Sequence, residues 1–198
     1  MSRPPHTSST TQFLETIRSR LAMSHSAIKK TQDQAESIAH IAEVIAGTFA
    51  NDGQLLTCGN GGSAAEALHF SEELIGRFKH DRPPLRSICL NSDPTVMTCI
   101  ANDYGYQEVF ARQCRGLGRT GDSLAVFSTS GNSENIILAL KTAAELEINT
   151  IGFLGGDGGV AASLCSTLFL APGGDSASIQ ESHQAALHAI CNCFEPTL

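Results

Sequence analysis

The stretch Leu55–Glu73, LLTCGNGGSAAEALHFSEE, decides how this chain folds. It begins with a short apolar run of the kind found in buried strands, passes through the glycine-rich turn Gly59–Ser63, and continues as a segment rich in Ala, Leu and Glu that favours a helix. A strand, a tight glycine turn and a helix in that order form the first part of a βαβ unit. The segment therefore predicts an α/β domain built on a parallel sheet.

Four further strands follow, and helical sequence separates each from the next. They are predicted at Arg86–Leu90, Leu124–Ser128, Thr150–Leu154 and Thr167–Leu170, with a last helix at about Ser176–Phe194. Because strands that alternate with helices lie parallel and carry helices on both faces, we predict an α/β fold with a doubly wound five-stranded parallel sheet. Ligands of such sheets bind beyond the carboxyl ends of the strands, where the glycine and serine loops of this chain lie.

Two helical patterns precede the sheet. Phe13, Ile17 and Leu21 recur at helical spacing, and a second apolar series runs from Ile38 to Phe49. Long amphipathic helices outside a sheet domain often form subunit contacts, so we predict an N-terminal helical extension with that role. The chain is thus divided into a flexible tail over 1–11, N-terminal helices for oligomer packing over 12–53, and the sheet domain over 54–198.

The composition argues against several classes of protein. The 198 residues carry a formal charge of −7, so the clustered Lys and Arg of a nucleic-acid surface are not expected. No segment is apolar for long enough to cross a bilayer, and the polar start Met1–Gln12 lacks the apolar core of a signal peptide. The seven cysteines lack CxxC spacing, and most lie in apolar runs. We therefore expect a cytoplasmic protein whose thiols are reduced.

The segment Ser128–Ser133, STSGNS, follows the third predicted strand and begins a helix. Its four hydroxyl groups surround a helix start, where free backbone N–H groups and the helix dipole attract anions. The loop contains no Lys or Arg and lacks the lysine of a P-loop, so it favours a phosphate monoester on a small molecule. Ordinary N-capping by Ser or Asn is the alternative, but it accounts for only one hydroxyl.

The glycine loop Gly59–Ala64 has two interpretations. It matches the loose dinucleotide fingerprint G-x-G-x-x-A, with Asp93 as the acid at the end of the second strand. Alternatively, it lines one sugar-phosphate pocket together with the STSGNS loop, which a dinucleotide site would leave unexplained. Ser63 and Glu66 also have the spacing of a capping box, which predicts a cap at the start of the following helix.

Side chains suited to acid–base chemistry or metal binding lie on two predicted helices. His69 and Glu73 are four residues apart and share a helix face, where they can bind a divalent metal, act as an acid–base pair or form a surface pair. On the last helix, spacing favours Gln180 with His183 and leaves His188 as a candidate core histidine. Gln180 and His188 are about 12 Å apart along a straight helix, so both reach one metal only if the helix bends or two subunits contribute.

The whole pattern resembles the bacterial phosphoheptose isomerases, which are single sugar-isomerase (SIS) domains. The resemblance covers about residues 12–194 and is carried by five stretches in order: CGNGGSAAEALHFSEELIGRF, IANDYGYQEVFARQ, STSGNS, GGDGG and SIQESHQAALH. It implies the SIS fold and the isomerisation of D-sedoheptulose 7-phosphate to D-glycero-D-manno-heptose 7-phosphate through an enediol, the first step of ADP-heptose biosynthesis. It also implies a homotetramer with active sites at subunit interfaces and one zinc ion (Zn2+) per subunit.

The same resemblance implies roles for single positions. Glu73 matches the family's base and His188 its acid. The zinc ligands fall on His69, Glu73, Gln180 and His188. The substrate-binding residues fall on Asn60, Gly61, Gly62, Ser63, Glu73, Asn102, Asp103, Ser128, Thr129, Ser130, Ser133 and Gln180. Two positions depart from the pattern, because Ser178 stands where many members have arginine and Ala177 where some have an acid; both bear on fine specificity.

Two non-enzymatic functions are weighed against the isomerase. A related SIS protein is an adaptor that binds the bacterial replication initiator, and other SIS domains sense sugar phosphates without converting them. The adaptor lacks the full His/Glu/His set and has a changed STSGNS loop. This chain carries His69, Glu73, His188 and an unbroken STSGNS, which favours the enzyme.

Overall fold

A computed structural model describes residues 8–196 as helices and strands in near-regular alternation. Residues 1–7, which make up most of the predicted tail, lie outside the described part. The strands are β1 (Leu55–Gly59), β2 (Ser87–Cys89), β3 (Ser123–Ser128), β4 (Asn149–Gly155) and β5 (Thr167–Ala171). The helices are α1 (Ser8–Thr31), α2 (Ala35–Ala50), α3 (Gly62–Ile75), α4 (Pro94–Tyr104), α5 (Ala111–Leu117), α6 (Glu134–Glu145), α7 (Gly159–Ala162) and α8 (Ser176–Cys193).

The five strands form one sheet in the order β2-β1-β3-β4-β5, and every neighbouring pair is parallel. The predicted fold class is confirmed. The chain adds β2 on one side of β1 and β3 on the other, so the strand order reverses between β1 and β3. In open parallel sheets this reversal leaves a crevice at the carboxyl ends, where ligands bind. The loops after β1 and β3 are the two glycine- and serine-rich segments singled out above.

An aromatic layer positions α3 and α8 on one face of the sheet. Phe127 and Phe153 stack with ring centroids 4.5 Å apart, while Phe70 of α3 and Phe169 meet Phe153 edge-on. All four side chains are fully buried, and burial of each contributes roughly 1.5–3 kcal/mol. Helices α2, α3 and α8 cover this layer, and α4 to α7 cover the opposite face. Helices α3 and α8 are thereby held side by side.

The two N-terminal helices differ in how they pack. Helix α2 buries Ile41 and Ile45 completely against the sheet domain. Helix α1 lies against α8 but leaves the side chains of Phe13, Ile17 and Leu21 more than half exposed, at 64%, 55% and 62%. These three residues are one turn apart and form an apolar stripe on the outer side of α1.

The seven cysteines all lie in the described part of the chain and are free. Burial raises the pKa of the Cys114, Cys165 and Cys191 thiols to about 12. Such thiols stay protonated near neutral pH and pack as small apolar groups.

Within residues 8–196, no helix combines the length and the apolar character that a membrane crossing requires.

Candidate active site

Two loops meet at the crevice between β1 and β3. The Asn60 side chain, in the loop after β1, donates to Asn135 Oδ1 at 2.8 Å and accepts from Asn135 Nδ2 at 2.9 Å. The Tyr106 hydroxyl also donates to Asn60 Oδ1, at 3.0 Å. Because Asn135 lies two residues after the STSGNS loop, in the first turn of α6, this amide pair holds the two loops together. The arrangement agrees with one pocket lined by both loops.

The hydroxyl groups of the STSGNS loop have different partners, and that of Thr129 lies 3.4 Å from Ser176 Oγ at the start of α8. Ser128 Oγ accepts from the Gly131 N–H at 3.0 Å, and Ser130 Oγ accepts from the Asn132 N–H at 3.2 Å. Ser133 is the N-cap of α6, yet its side chain makes no capping hydrogen bond. Ordinary N-capping therefore does not explain this serine, and the prediction of an anion site at this helix start keeps its support.

A third glycine-rich loop, residues 155–159 between β4 and α7, packs against the STSGNS loop. Gly131 has a φ of +61°, and a Cβ there would overlap the carbonyl oxygen of Gly158. The side chain of Asn132 accepts from the Val160 N–H at 3.1 Å, at the start of α7. Only glycine fits at position 131, because both the positive φ and the close approach of the second loop exclude a side chain.

The predicted capping box at the start of α3 is wrong. Gly61 is the N-cap, with a φ of +57°, and no side chain caps the helix. Helix α3 thus begins at Gly62, and Ser63 lies inside its first turn, where it is buried. Glu66 points instead toward α8, where its Oε2 lies 3.3 Å from His183 Nδ1.

His183, not His188, is the histidine of the core. Its side chain is fully buried and meets the rings of Phe127, Phe153 and Phe169 edge-on. Spacing alone had favoured Gln180 with His183 and left His188 as a candidate core histidine; in the structure His183 is the core histidine and its partner is Glu66. On α8, His183 falls on the sheet-facing stripe of apolar residues. His188 comes five residues later, which places it about 140° away around the helix axis, and it is half-buried.

Three of the four predicted metal ligands converge between α3 and α8. His69 Nε2 lies 3.0 Å from Glu73 Oε1, and the rings of His69 and His188 are 5.2 Å apart. One potential ligand atom from each of the three residues lies within 4.8 Å of the others. Two imidazoles and one carboxylate are the donor set of many catalytic zinc sites, so these residues fit that metal.

The two glutamines of α8 occupy different places. Gln180 lies beside the first turn of α3, where a Cβ on Gly62 would come within 2.5 Å of its Nε2. Gln184, which the sequence analysis did not name, lies between the imidazoles: its Nε2 is 2.7 Å from His69 Nδ1 and 3.0 Å from His188 Nε2. Its spacing of four residues before His188 was the available signal.

Burial and nearby charge favour the neutral form of His188 by lowering its pKa. Desolvation lowers the pKa of its imidazole, the nearby His69 lowers it further, and Glu73 opposes the shift. A neutral imidazole has a free lone pair, which is the form that binds a metal or accepts a proton.

Two predicted substrate-binding residues lie at the exposed end of α4. Asn102 Nδ2 donates to Asp103 Oδ1 at 2.7 Å. At the other end of the same helix, Asp93 caps α4 by accepting from the N–H groups of Thr95 and Val96 at 2.8 and 3.1 Å. Asp93 thus has the role of a helix cap, which leaves the dinucleotide interpretation without its ribose-binding acid.

The departure at Ser178 has a structural explanation. Ser178 is buried at the third position of α8, where it forms a capping box with Asp175. Arg20 of α1 binds Asp175 at 2.7 Å and Glu181 at 2.9 Å. An arginine therefore does lie near the start of α8, but α1 contributes it. Nothing in the structure explains the change at Ala177.

Comparisons with known proteins agree with this geometry. A model of the SIS domain matches residues 18–155. The phosphoheptose isomerase of a Bradyrhizobium species is 44% identical over 92% of this chain and 93% of its own length, and that of Helicobacter pylori is 43% identical over 84% and 87%. The solved phosphoheptose isomerase of Neisseria gonorrhoeae superposes with a TM-score of 0.86 at 39% identity over 91% of this chain and 97% of its own, and that of Francisella tularensis with 0.87 at 36% identity over 90% and 96%. From its sequence, its fold and its converging His/Glu/His cluster, this chain belongs to the phosphoheptose isomerases of the SIS-domain family.

Proposed function

We propose that this chain converts D-sedoheptulose 7-phosphate to D-glycero-D-manno-heptose 7-phosphate. The observation that carries the proposal is the cluster of His69, Glu73 and His188 between α3 and α8, in a chain whose relatives are phosphoheptose isomerases. The reaction is an aldose–ketose isomerisation and, by the family resemblance, the first step of ADP-heptose biosynthesis in the cytoplasm.

The reaction needs a base that removes a carbon-bound proton and an acid that protonates the carbonyl oxygen. Moving a carbonyl from C2 to C1 requires removal of a proton from C1 and delivery of a proton to the C2 oxygen, which gives an enediol. The enediol then gains a proton at C2 and loses the proton of its C1 hydroxyl, which forms the aldehyde. Glu73 is the base in this proposal, and the neutral His188 carries protons to and from the two oxygens. General acid–base catalysis of this kind contributes about 10²- to 10⁴-fold in rate.

The same side chains would hold one zinc ion per subunit. His69, Glu73 and His188 provide three ligands, and the family resemblance gives Gln180 as the fourth. A bound zinc ion supplies a Lewis acid that polarises the substrate carbonyl and stabilises negative charge on its oxygen. In the metal-free chain His69 Nε2 lies 3.0 Å from Glu73 Oε1, and this contact restricts the rotation of the carboxylate.

The loops at the sheet edge would bind the remainder of the substrate. In this proposal the phosphate lies at the start of α6, where Ser128, Thr129, Ser130 and Ser133 provide hydroxyl groups and the helix provides its positive end. The sugar hydroxyls are bound by residues of the glycine loop and of the end of α4. These are Asn60, Gly61, Gly62, Ser63, Asn102 and Asp103, together with Glu73 and Gln180.

The exposed stripe of α1 supports assembly into a homotetramer with active sites at the subunit interfaces. Phe13, Ile17 and Leu21 together present an apolar surface that a monomer would leave in water. Helix α1 is also joined to α8, the helix that carries His188, through Arg20. A contact between copies through α1 would therefore lie close to the proposed site.

The decisive experiment is to incubate the purified chain with sedoheptulose 7-phosphate, with and without a chelator, and to measure aldoheptose 7-phosphate by NMR, which distinguishes the aldose from a ketose of the same mass. We expect product in the untreated sample and a large decrease after metal removal. The absence of product from a folded, zinc-loaded sample would contradict the proposal. In that case an adaptor or a sugar-phosphate sensor, which binds without turnover, becomes the better description.

A further inference from the structure

Gln184 holds a position that neither helix spacing nor the family resemblance assigned. It lies on α8 one turn before His188 and is half-buried in the seam between α3 and α8. Its amide nitrogen is within hydrogen-bond distance of both imidazoles, at 2.7 Å from His69 Nδ1 and 3.0 Å from His188 Nε2. One side chain therefore bridges the two histidines of the candidate metal site.

In the metal-free protein, the contacts of Gln184 with both imidazoles determine which ring nitrogens carry protons. The NH₂ group of Gln184 has two hydrogens, and it can donate one to each imidazole only if both receiving nitrogens are unprotonated. The remaining proton of His69 then lies on Nε2, which is 3.0 Å from Glu73 Oε1 and donates to it. The three contacts are thus satisfied by one set of tautomers.

Metal binding requires a different tautomer of His69. Since Glu73 Oε1 lies on the Nε2 side of the ring, Nε2 is the nitrogen that can share a metal ion with Glu73. A histidine that binds through Nε2 keeps its proton on Nδ1, and that N–H needs an acceptor. An amide offers one without moving the backbone, because rotation of its terminal group by about 180° exchanges nitrogen and oxygen.

We propose that Gln184 is a positioning residue whose amide donates to His69 Nδ1 in the metal-free protein and accepts from the Nδ1–H group when zinc is bound. The inference rests on the metal site of the proposed function. Gln184 acts through His69 and does not touch the substrate. Hydrogen-bond partners of this kind typically change metal affinity by about 10- to 100-fold when they are removed.

Zinc affinity in two variants tests the proposal. Gln184→Leu has a similar volume but no hydrogen-bonding group, so we expect it to bind zinc about 10- to 100-fold more weakly than the parent. Gln184→Glu keeps an acceptor at the same place, so it should bind zinc at least as tightly as the parent. Competition with a chromophoric chelator measures both, and circular dichroism checks the fold. Asn192→Asp adds a charge one turn beyond His188 without touching His69, and so controls for a general effect of charge.

Nitrogen-15 NMR of the histidines gives a second readout that does not depend on zinc. In the metal-free parent, His69 Nδ1 should have the chemical shift of an unprotonated nitrogen. In Gln184→Glu, which can only accept, the same nitrogen should be protonated. Equal zinc affinity in parent, Gln184→Leu and Gln184→Glu would overturn the role of Gln184 while leaving the isomerase intact. A parent chain that isomerises its substrate but takes no zinc would overturn the metal site and this inference together.

Discussion

Helices α3 and α8 hold two histidine–glutamate pairs that differ in almost every physical respect. His69 and Glu73 share α3, are partly exposed and lie 3.0 Å apart beside the half-buried His188. His183 and Glu66 join α8 to α3 inside the protein, 3.3 Å apart, among phenylalanine rings. The same two residue types are thus placed once where solvent can reach them and once where it cannot.

The buried pair leaves polar atoms unsatisfied, which the open pair does not. Among the described residues, Glu66 Oε1 and His183 Nε2 have no hydrogen-bond partner and almost no exposed surface. Buried groups of this kind cost free energy, so the pair is weak support for stability by itself. The contact between Glu66 and His183 does join one position of α3 to one position of α8. The comparison teaches that burial, and not residue type, separates a structural pair from a chemical one.

The largest expected effect is on activity, from a change in the open pair. Glu73→Gln removes the proposed base with little change in shape, so kcat/KM should fall about 10²- to 10⁴-fold while the melting temperature changes little. Steady-state assays with sedoheptulose 7-phosphate measure this. Glu66→Gln is the matched control in the buried pair. The distinction between the pairs fails if, per folded molecule, Glu66→Gln loses as much activity as Glu73→Gln.

The next effect is on stability, from a change in the buried pair. Glu66→Ala leaves His183 buried without a partner, so the free energy of unfolding should fall by about 3–5 kcal/mol. Urea denaturation of the metal-free protein measures the change.

A double variant separates the loss of the partner from the loss of the pair. Glu66→Met with His183→Phe replaces both polar groups by apolar ones of similar size and should recover most of the lost stability. If the double variant is as unstable as Glu66→Ala, then packing rather than the unpaired imidazole is the cause.

A smaller effect is expected from zinc itself. At a free concentration 100 times its Kd, zinc should stabilise the parent by about 2.7 kcal/mol, because it binds only the folded form. His69→Ala should abolish this increment, and Glu66→Gln should retain it. Thermal unfolding with buffered zinc measures the difference. An increment that survives in His69→Ala would place the metal elsewhere.

The smallest effect concerns an exposed carboxylate at the start of the same helix. The backbone N–H and the hydroxyl of Ser178, and then Arg20, hold the pKa of Asp175 well below its usual 3.8. Because the folded-state pKa is lower than the unfolded one, Asp175 contributes stability above about pH 4 that is lost as the pH falls toward the folded-state pKa. The stability lost by Asp175→Ala relative to the parent should therefore shrink as the pH is lowered from 7 to 3.

Two further variants order the causes of that shift. Ser178→Ala removes the Ser178 hydroxyl, which is the larger of the two side-chain contributions, but keeps the backbone N–H, so it should reduce the acid dependence only in part. Arg20→Met should reduce it less, because Arg20 is partly exposed and its charge is screened. Melting temperatures across the pH range measure both. The reverse order would make the ion pair, and not the helix cap, the main anchor of α8.

The architecture of the sheet was predictable because its signals are local. Each strand is a short apolar run, and glycine or serine punctuates the turns after β1, β3 and β4. The edge strand β2 was predicted as Arg86–Leu90 and spans Ser87–Cys89, although Arg86 and Leu90 also form backbone hydrogen bonds with β1, each at 2.9 Å. Its bounds depend on pairing, which the sequence of the strand itself does not contain.

The arrangement between α3 and α8 was predictable only in part. His183 shares a helix face with three apolar residues of α8, namely Ile179, Leu187 and Ile190. The burial of His183 could therefore have been inferred from the helical periodicity of the sequence. The contact of Gln184 with His69 could not, because it depends on how closely and at what angle two helices pack. Small changes in that angle decide which side chains of α8 face His69.

The close approach of Gly131 to Gly158 has a consequence for anyone who wishes to redesign what this crevice accepts. The hydroxyl-bearing turn after β3 and the glycine turn after β4 touch through their backbones, so a change in the path of one must displace the other. A graft should therefore carry both turns from one donor.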